Sequence, residues 1–137
     1  MHTRQATMLD FLHGFHRKTR RRQFLETMDA CVPWDEWLAL IRPFYHADCE
    51  GKKGRPPVEL ETILRMYLLQ IWFTLSDEGV EDEIYENAAM AWFMSVNVAS
   101  DRAPDATTLL RFRHMLEDNG LCEAMFSRLN ELLEQKG

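Results

Sequence analysis

PPVELETILRMYLLQIWFTLSDEGVEDEIYENAAMAWF, residues 56–93, decides how this chain folds. From Pro57 onward, Leu60, Ile63, Leu64, Tyr67, Leu68, Ile71, Trp72 and Leu75 recur at i, i+3, i+4 and i+7, the spacing of one helix face. Met66, Leu69 and Phe73 make the other faces apolar too, and a helix apolar nearly all round belongs in the middle of a core. Ser76 then reads as an N-cap with Asp77 and Glu78 in the first turn, where carboxylates suit the helix dipole. Val80, Ile84, Ala88 and Trp92 predict the inner stripe of the helix that follows.

Upstream, Gln23 to Ala30 places Phe24, Leu25 and Met28 at helical spacing. Pro33 suits the first turn of a second short helix carrying Trp34, Trp37, Leu38 and Ile41, which Pro43 is expected to end. Residues 46–57, HADCEGKKGRPP, are rich in Gly, Pro and charge and read as a loop inside one domain. Downstream, Asn97 to Pro104 is a connector and Asp105 caps a helix whose inner stripe is Leu109, Phe112 and Leu116. Asn119 and Gly120 supply the stop, and a last helix carries Leu121, Met125, Leu129, Leu132 and Leu133. No segment alternates as a strand does. The expectation is an all-α fold, a single bundle of about six helices containing a helix-turn-helix-like pair, with a basic arm over 1–22 and the helical domain over 23–137.

At 137 residues and 46% hydrophobic, with eight Phe and four Trp, the chain has material for one core. It lacks a long charge-free apolar run and a signal-peptide pattern at its amino terminus, which points to a soluble cytoplasmic protein with no membrane partner. Cys31, Cys49 and Cys122 are odd in number and far apart, as reduced thiols are. The net charge of −6 speaks against a protein that coats nucleic acid indiscriminately. Its distribution is uneven, however: in residues 1–22 Arg4, Arg17, Lys18, Arg20, Arg21 and Arg22 stand against Asp10 alone, a net +5, so the rest carries −11. Such an arm suits a local contact to phosphates or to an acidic partner, or is a solvated charge run beside a helix start.

On a helical wheel, Thr107, Arg111, His114 and Asp118 form one narrow polar stripe opposite Leu109, Phe112 and Leu116. That stripe has the shape to enter a major groove. Thr107 lies near the helix start, and Arg111 has the fork that matches guanine O6 and N7 or a phosphate. Arg113 falls on the flank of the apolar side and reads as an ion-pair partner for the acidic helix before it. The alternative for the whole stripe is an ordinary solvent-facing surface. The connector VNVASDRAP exceeds the short turn of a helix-turn-helix. Lys52, Lys53 and Arg55 add a basic loop, either a phosphate contact or plain surface.

Metal and catalytic sites find no support. His46 and Cys49 are separated by two residues, as are His13 and His16, but no second pair lies at zinc-site spacing. Glu78, Glu81, Asp82, Glu83 and Glu86 read as a solvated helix face, and no nucleophile with its base or phosphate-binding loop is visible. The expectation is no metal, no cofactor and no small-molecule substrate.

Several dispersed stretches, in order, carry a resemblance: RRRQFLETMD at 20–29, Pro33 and Trp34, IRPFY at 41–45, GRPP at 54–57, LETILRMYLLQIWF at 60–73, LSDEGVEDEIYENAAM at 75–90 and PDATTLLRFRHMLE at 104–117. Over residues 18–135 the chain resembles the amino-terminal domain of bacterial insertion-sequence transposases of the DDE type, in the fifth insertion-sequence family. The resemblance implies a helical domain that binds duplex DNA at the element's terminal inverted repeats, assists pairing with a second copy, and works in the nucleoid. It carries over Thr107, Thr108, Arg111, Arg113 and His114 as the recognition helix, while Arg17, Lys18, Arg20, Arg21, Arg22, Lys52, Lys53 and Arg55 are candidate backbone contacts by their charge alone. In that family the two-metal chemistry belongs to a later ribonuclease-H-like domain, for which the chain ends too soon, so no catalytic residue is carried over and no enzymatic activity is expected. The alternative, from another class, is a protein-interaction or dimerisation module, including a truncated transposase that inhibits the full enzyme.

Overall fold

The computed structural model describes residues 18–49, 58–94 and 102–136. Among them are seven α-helices and no strand, so the all-α expectation holds: α1 Arg20–Cys31, α2 Trp34–Cys49, α3 Leu60–Phe73, α4 Asp77–Glu86, α5 Ala88–Met94, α6 Ala106–Asp118 and α7 Leu121–Lys136.

Helix α3 is the axis of the bundle, packed against α2, α4, α5 and α6. Leu60, Ile63, Leu64, Met66, Tyr67, Leu68, Leu69 and Gln70 are all buried, as expected of a helix apolar on nearly every face. Each buried aliphatic side chain contributes roughly 1.5–3 kcal/mol relative to exposure, so this helix anchors the core. Ile71, expected on the inner face, is instead 42% exposed. The Tyr67 hydroxyl meets Cys122 Sγ of α7 at 3.1 Å, and burial first, then this contact, pushes the phenol above its usual pKa. Cys31 and Cys122 are free thiols.

Arg65, on the same helix, ties four helices together. Its Nε donates to Glu61 at 2.9 Å and its Nη1 to the Phe93 carbonyl of α5 at 2.9 Å. Nη1 also lies 3.0 Å from Asp29 Oδ1 of α1, a contact oriented as an ion pair because the hydrogen bond is aimed at Phe93. The guanidinium carbon sits 4.1 Å from the centroid of Trp34 and 4.8 Å from that of Phe93. The Trp34 indole donates to the Asp29 carbonyl at 2.9 Å, which joins the end of α1 to the start of α2.

The structure also corrects the expectations at Pro43 and at Asn87. Pro43 does not end the second helix; it lies inside α2, which continues to Cys49. A mid-helix proline leaves the carbonyl four residues earlier without its donor, and here that carbonyl belongs to Ala39, which is exposed, so water can take the bond. Continuation is favoured because Tyr45, two residues further on, is buried against Phe112 and its hydroxyl donates to the Val58 carbonyl. The second correction lies at Asn87. The helix expected to run from Ser76 past Trp92 breaks there, and Asn87 Oδ1 caps a new helix by accepting from the N–H groups of Ala89 and Met90 at 2.9 and 3.1 Å. The break resets the phase, so Ala89, Met90, Phe93 and Met94 are buried while Ala88 and Trp92 face outward.

Other caps agree with the sequence. Ser76 accepts from Gly79 N–H at 2.9 Å, Asp105 accepts from Thr108 N–H at 2.8 Å, and Gly120 takes the left-handed φ of 65° that ends α6. Helix α3 ends on Thr74 at φ 52°, a conformation that crowds a β-branched side chain. Thr74→Gly should therefore stabilise the domain by about 1 kcal/mol, read as a higher urea midpoint at unchanged slope. A lower midpoint would mean that the Thr74 side chain contributes more than its backbone strain costs.

Candidate functional site

Helix α6 owes its position to the apolar residues Leu109, Phe112, Met115 and Leu116, all buried. Burying that stripe turns the opposite one outward. Thr107, Arg111, His114 and Asp118 are exposed in a single row, and Thr108 is half-buried beside the Asp105 cap. Thr107 and Arg111 face solvent from the first half of the helix, the part of a recognition helix that touches base edges.

Arg113 is turned the other way. It donates to Gln70 at 3.1 Å and, through both terminal nitrogens, to the Asp77 carboxylate, making an ion pair between α6 and the first turn of α4. The Arg113 hydrogen bond holds the Asp77 carboxyl below the usual carboxylate range, and Gln70 Nε2 adds a further bond at 2.7 Å. Burial opposes both but does not prevail. The Asp77 bond in turn raises the Arg113 pKa, so the pair stays charged across the ordinary pH range. This is the ion-pair role that its place on the flank of the apolar side suggests, and it leaves Arg113 no free fork for a base.

The end of the expected arm is helical. Thr19 Oγ1 accepts from Arg22 N–H at 3.1 Å, so α1 starts at Arg20, three residues before the expected boundary. Lys18 and Arg22 both reach Glu26, at 3.2 and 3.3 Å, and Arg21 reaches Glu83 of α4 at 3.5 Å. Arg21 also covers the Phe73 ring at 4.8 Å and Arg22 the Trp92 ring at 4.1 Å. Arg20 is exposed with no ion pair among the described residues. Exposed pairs contribute about 0–1 kcal/mol, so these cations remain exchangeable for an incoming phosphate. Arg17, Lys52, Lys53 and Arg55 lie outside the described residues, as do His13 and His16.

The helix beside α6 has the opposite sign. Six of the ten residues of α4 are Asp or Glu and none is basic; Glu78, Asp82 and Glu86 are exposed one turn apart. That row disfavours any anion on its side of α6. The helix immediately before α6 in sequence, α5, packs on α1, α3 and α4 and makes no packing contact with α6 among the described residues; α4 is the acidic neighbour of α6. The described residues include no group of three or more His, Cys, Asp or Glu placed to hold a metal ion. They include no helix long and apolar enough to cross a membrane.

At the head of α6, Tyr85 carries no signal in the sequence, and Glu81, expected on a solvated face, is instead half-buried and bonded. The Tyr85 hydroxyl accepts from Ala103 N–H at 2.9 Å and Glu81 Oε1 accepts from Ala106 N–H at 3.0 Å, both reaching across from α4. Neither has a local sequence signal, because each tie joins residues far apart in the chain.

The described residues thus form an all-helical domain with an exposed polar row on one amphipathic helix. Residues 13–115 match the family described as a transposase domain (DUF772), and the chain belongs to that family. No solved structure matches the chain.

Proposed function

We propose that this chain is the DNA-binding domain of a transposase, that it recognises the terminal inverted repeats of an insertion sequence, and that the chemistry of transposition lies in a separate DDE domain. Helix α6 enters the major groove, Thr107 and Arg111 face base edges, and His114 extends the row toward the backbone. The observation that carries this reading is the outward row of Thr107, Arg111, His114 and Asp118 in a chain of transposase family. Phosphate contacts come from Arg20, from Lys18, Arg21 and Arg22 once they exchange partners, and from Arg17, Lys52, Lys53 and Arg55.

Fluorescence anisotropy of a labelled duplex carrying the terminal repeat, against a scrambled duplex at two salt concentrations, tests it. Arg111→Ala is expected to weaken the repeat by about 1–3 kcal/mol while changing the scrambled duplex little, because a bidentate base contact carries discrimination. Neutralising Arg20, Arg21 and Arg22 together should weaken both duplexes and flatten the salt dependence. Equal losses on both duplexes for Arg111→Ala remove it from base reading.

The second reading, a module that pairs with another copy, is favoured by Leu40 and Phe44, exposed one turn apart on α2. Sedimentation of the free protein over a concentration series separates it from the first: self-association without duplex preference supports pairing alone.

A further inference from the structure

Three residues of α4, spaced i, i+4 and i+8, hold α6 and its lead-in at successive points: Asp77 binds Arg113, Glu81 accepts from Ala106 N–H at 3.0 Å, and Tyr85 accepts from Ala103 N–H at 2.9 Å. As the contacts advance along α4 they retreat along the chain from Arg113 to Ala103, so the two helices run antiparallel with one polar seam between them. Apolar packing of Leu109, Phe112 and Leu116 is non-directional and by itself permits α6 to roll about its axis. Hydrogen bonds are directional, and three of them over this length fix both roll and slide.

We infer that Asp77, Glu81 and Tyr85 are positioning residues that set the direction in which the α6 row faces, and so govern discrimination between DNA sequences without touching DNA. The inference rests on the DNA-reading role proposed above. It also accounts for two of the acidic side chains beside α6: Asp77 is paired with Arg113, and Glu81 accepts from a backbone N–H at the positive end of α6, where a carboxylate is favoured. A functional constellation has to be held within about 10–20° of its productive orientation, a tolerance that a loosened α6 would exceed.

The test uses the full chain and a duplex selected by the wild-type protein from a pool with a randomised centre, compared with its scrambled version. Tyr85→Phe and Glu81→Ala should each lower the preference for the selected duplex by about tenfold while leaving affinity for the scrambled one unchanged, since phosphate contacts do not depend on which bases α6 faces. Glu81→Gln keeps an acceptor oxygen and should retain most of the preference. Where Glu81→Ala fails to fold by circular dichroism, Tyr85→Phe, which keeps the half-exposed ring, decides. Equal losses on both duplexes, or an unchanged preference in the variants, overturn the inference while the DNA reading stands. A wild-type protein that selects no duplex overturns the DNA reading, and the inference with it.

Discussion

Arg65→Ala is expected to cost about 3–4 kcal/mol and to lower the melting temperature by roughly 10–15 °C, the largest effect of any single surface-reaching side chain in this fold. The side chain is only 13% exposed, and its guanidinium serves Glu61, Asp29 and the Phe93 carbonyl while lying against two aromatic rings. Truncation leaves the Phe93 carbonyl without its side-chain donor, removes a cation from between Trp34 and Phe93, and leaves Asp29 facing a void. The figure is held toward the lower end of the range for buried pairs because the Asp29 and Glu61 side chains are 37% and 41% exposed, and water screens their share. Arg65→Lys keeps the charge but not the fork, and should recover less than half. Differential scanning calorimetry of the three proteins checks this; a loss under about 1 kcal/mol for Arg65→Ala would show that α1, α2, α3 and α5 are joined by packing alone.

Arg113→Ala is expected to cost about 2–3 kcal/mol at neutral pH, because it leaves the Asp77 carboxylate, only 19% exposed, with Gln70 as its remaining side-chain partner. The pair also sets an acid limit. The folded pKa of Asp77 lies below its unfolded value of 3.8, so its contribution is complete above that value and is lost as pH falls through the folded pKa. The wild-type melting temperature should therefore fall from about pH 5 downward, and the fall should be shallower in Arg113→Ala, whose Asp77 has lost the main cause of its depressed pKa. Parallel acid limbs in the two proteins would place the acid sensitivity in other carboxylates.

The contrast between these two arginines shows where sequence reading succeeds. Arg113 was placed by periodicity, since its position on the flank of an apolar stripe next to an acidic helix leaves an ion pair as the natural outcome. Arg65 carries no such signal: its partners lie on α1, α2 and α5, and only the folded chain brings Asp29, Trp34 and Phe93 around it. The same division runs through the fold. The buried α3, the caps at Ser76 and Asp105 and the stop at Gly120 follow from short-range chemistry and were legible. Pro43 misled because tertiary anchoring of Tyr45 outweighs one missing backbone bond. Asn87 is a good cap by residue type but lies inside a continuous apolar pattern that masks it. In the candidate site, the outward row of α6 was readable on a wheel, whereas the ties from Glu81 and Tyr85 were not, because they join residues 25 and 18 positions apart.

Helix α1 packs chiefly on α5 and α7 and is tied by Asp29 to α3, all of which come later in the chain. During synthesis it leaves the ribosome before any of them. Leu25 and Met28 are buried in the finished fold, and α5 and α7, on which their helix chiefly packs, are made only in the second half of the domain. A shortened product ending before α5 would present that apolar face to the cell unpaired, so the interval between making α1 and making α5 is when this domain has most need of a chaperone.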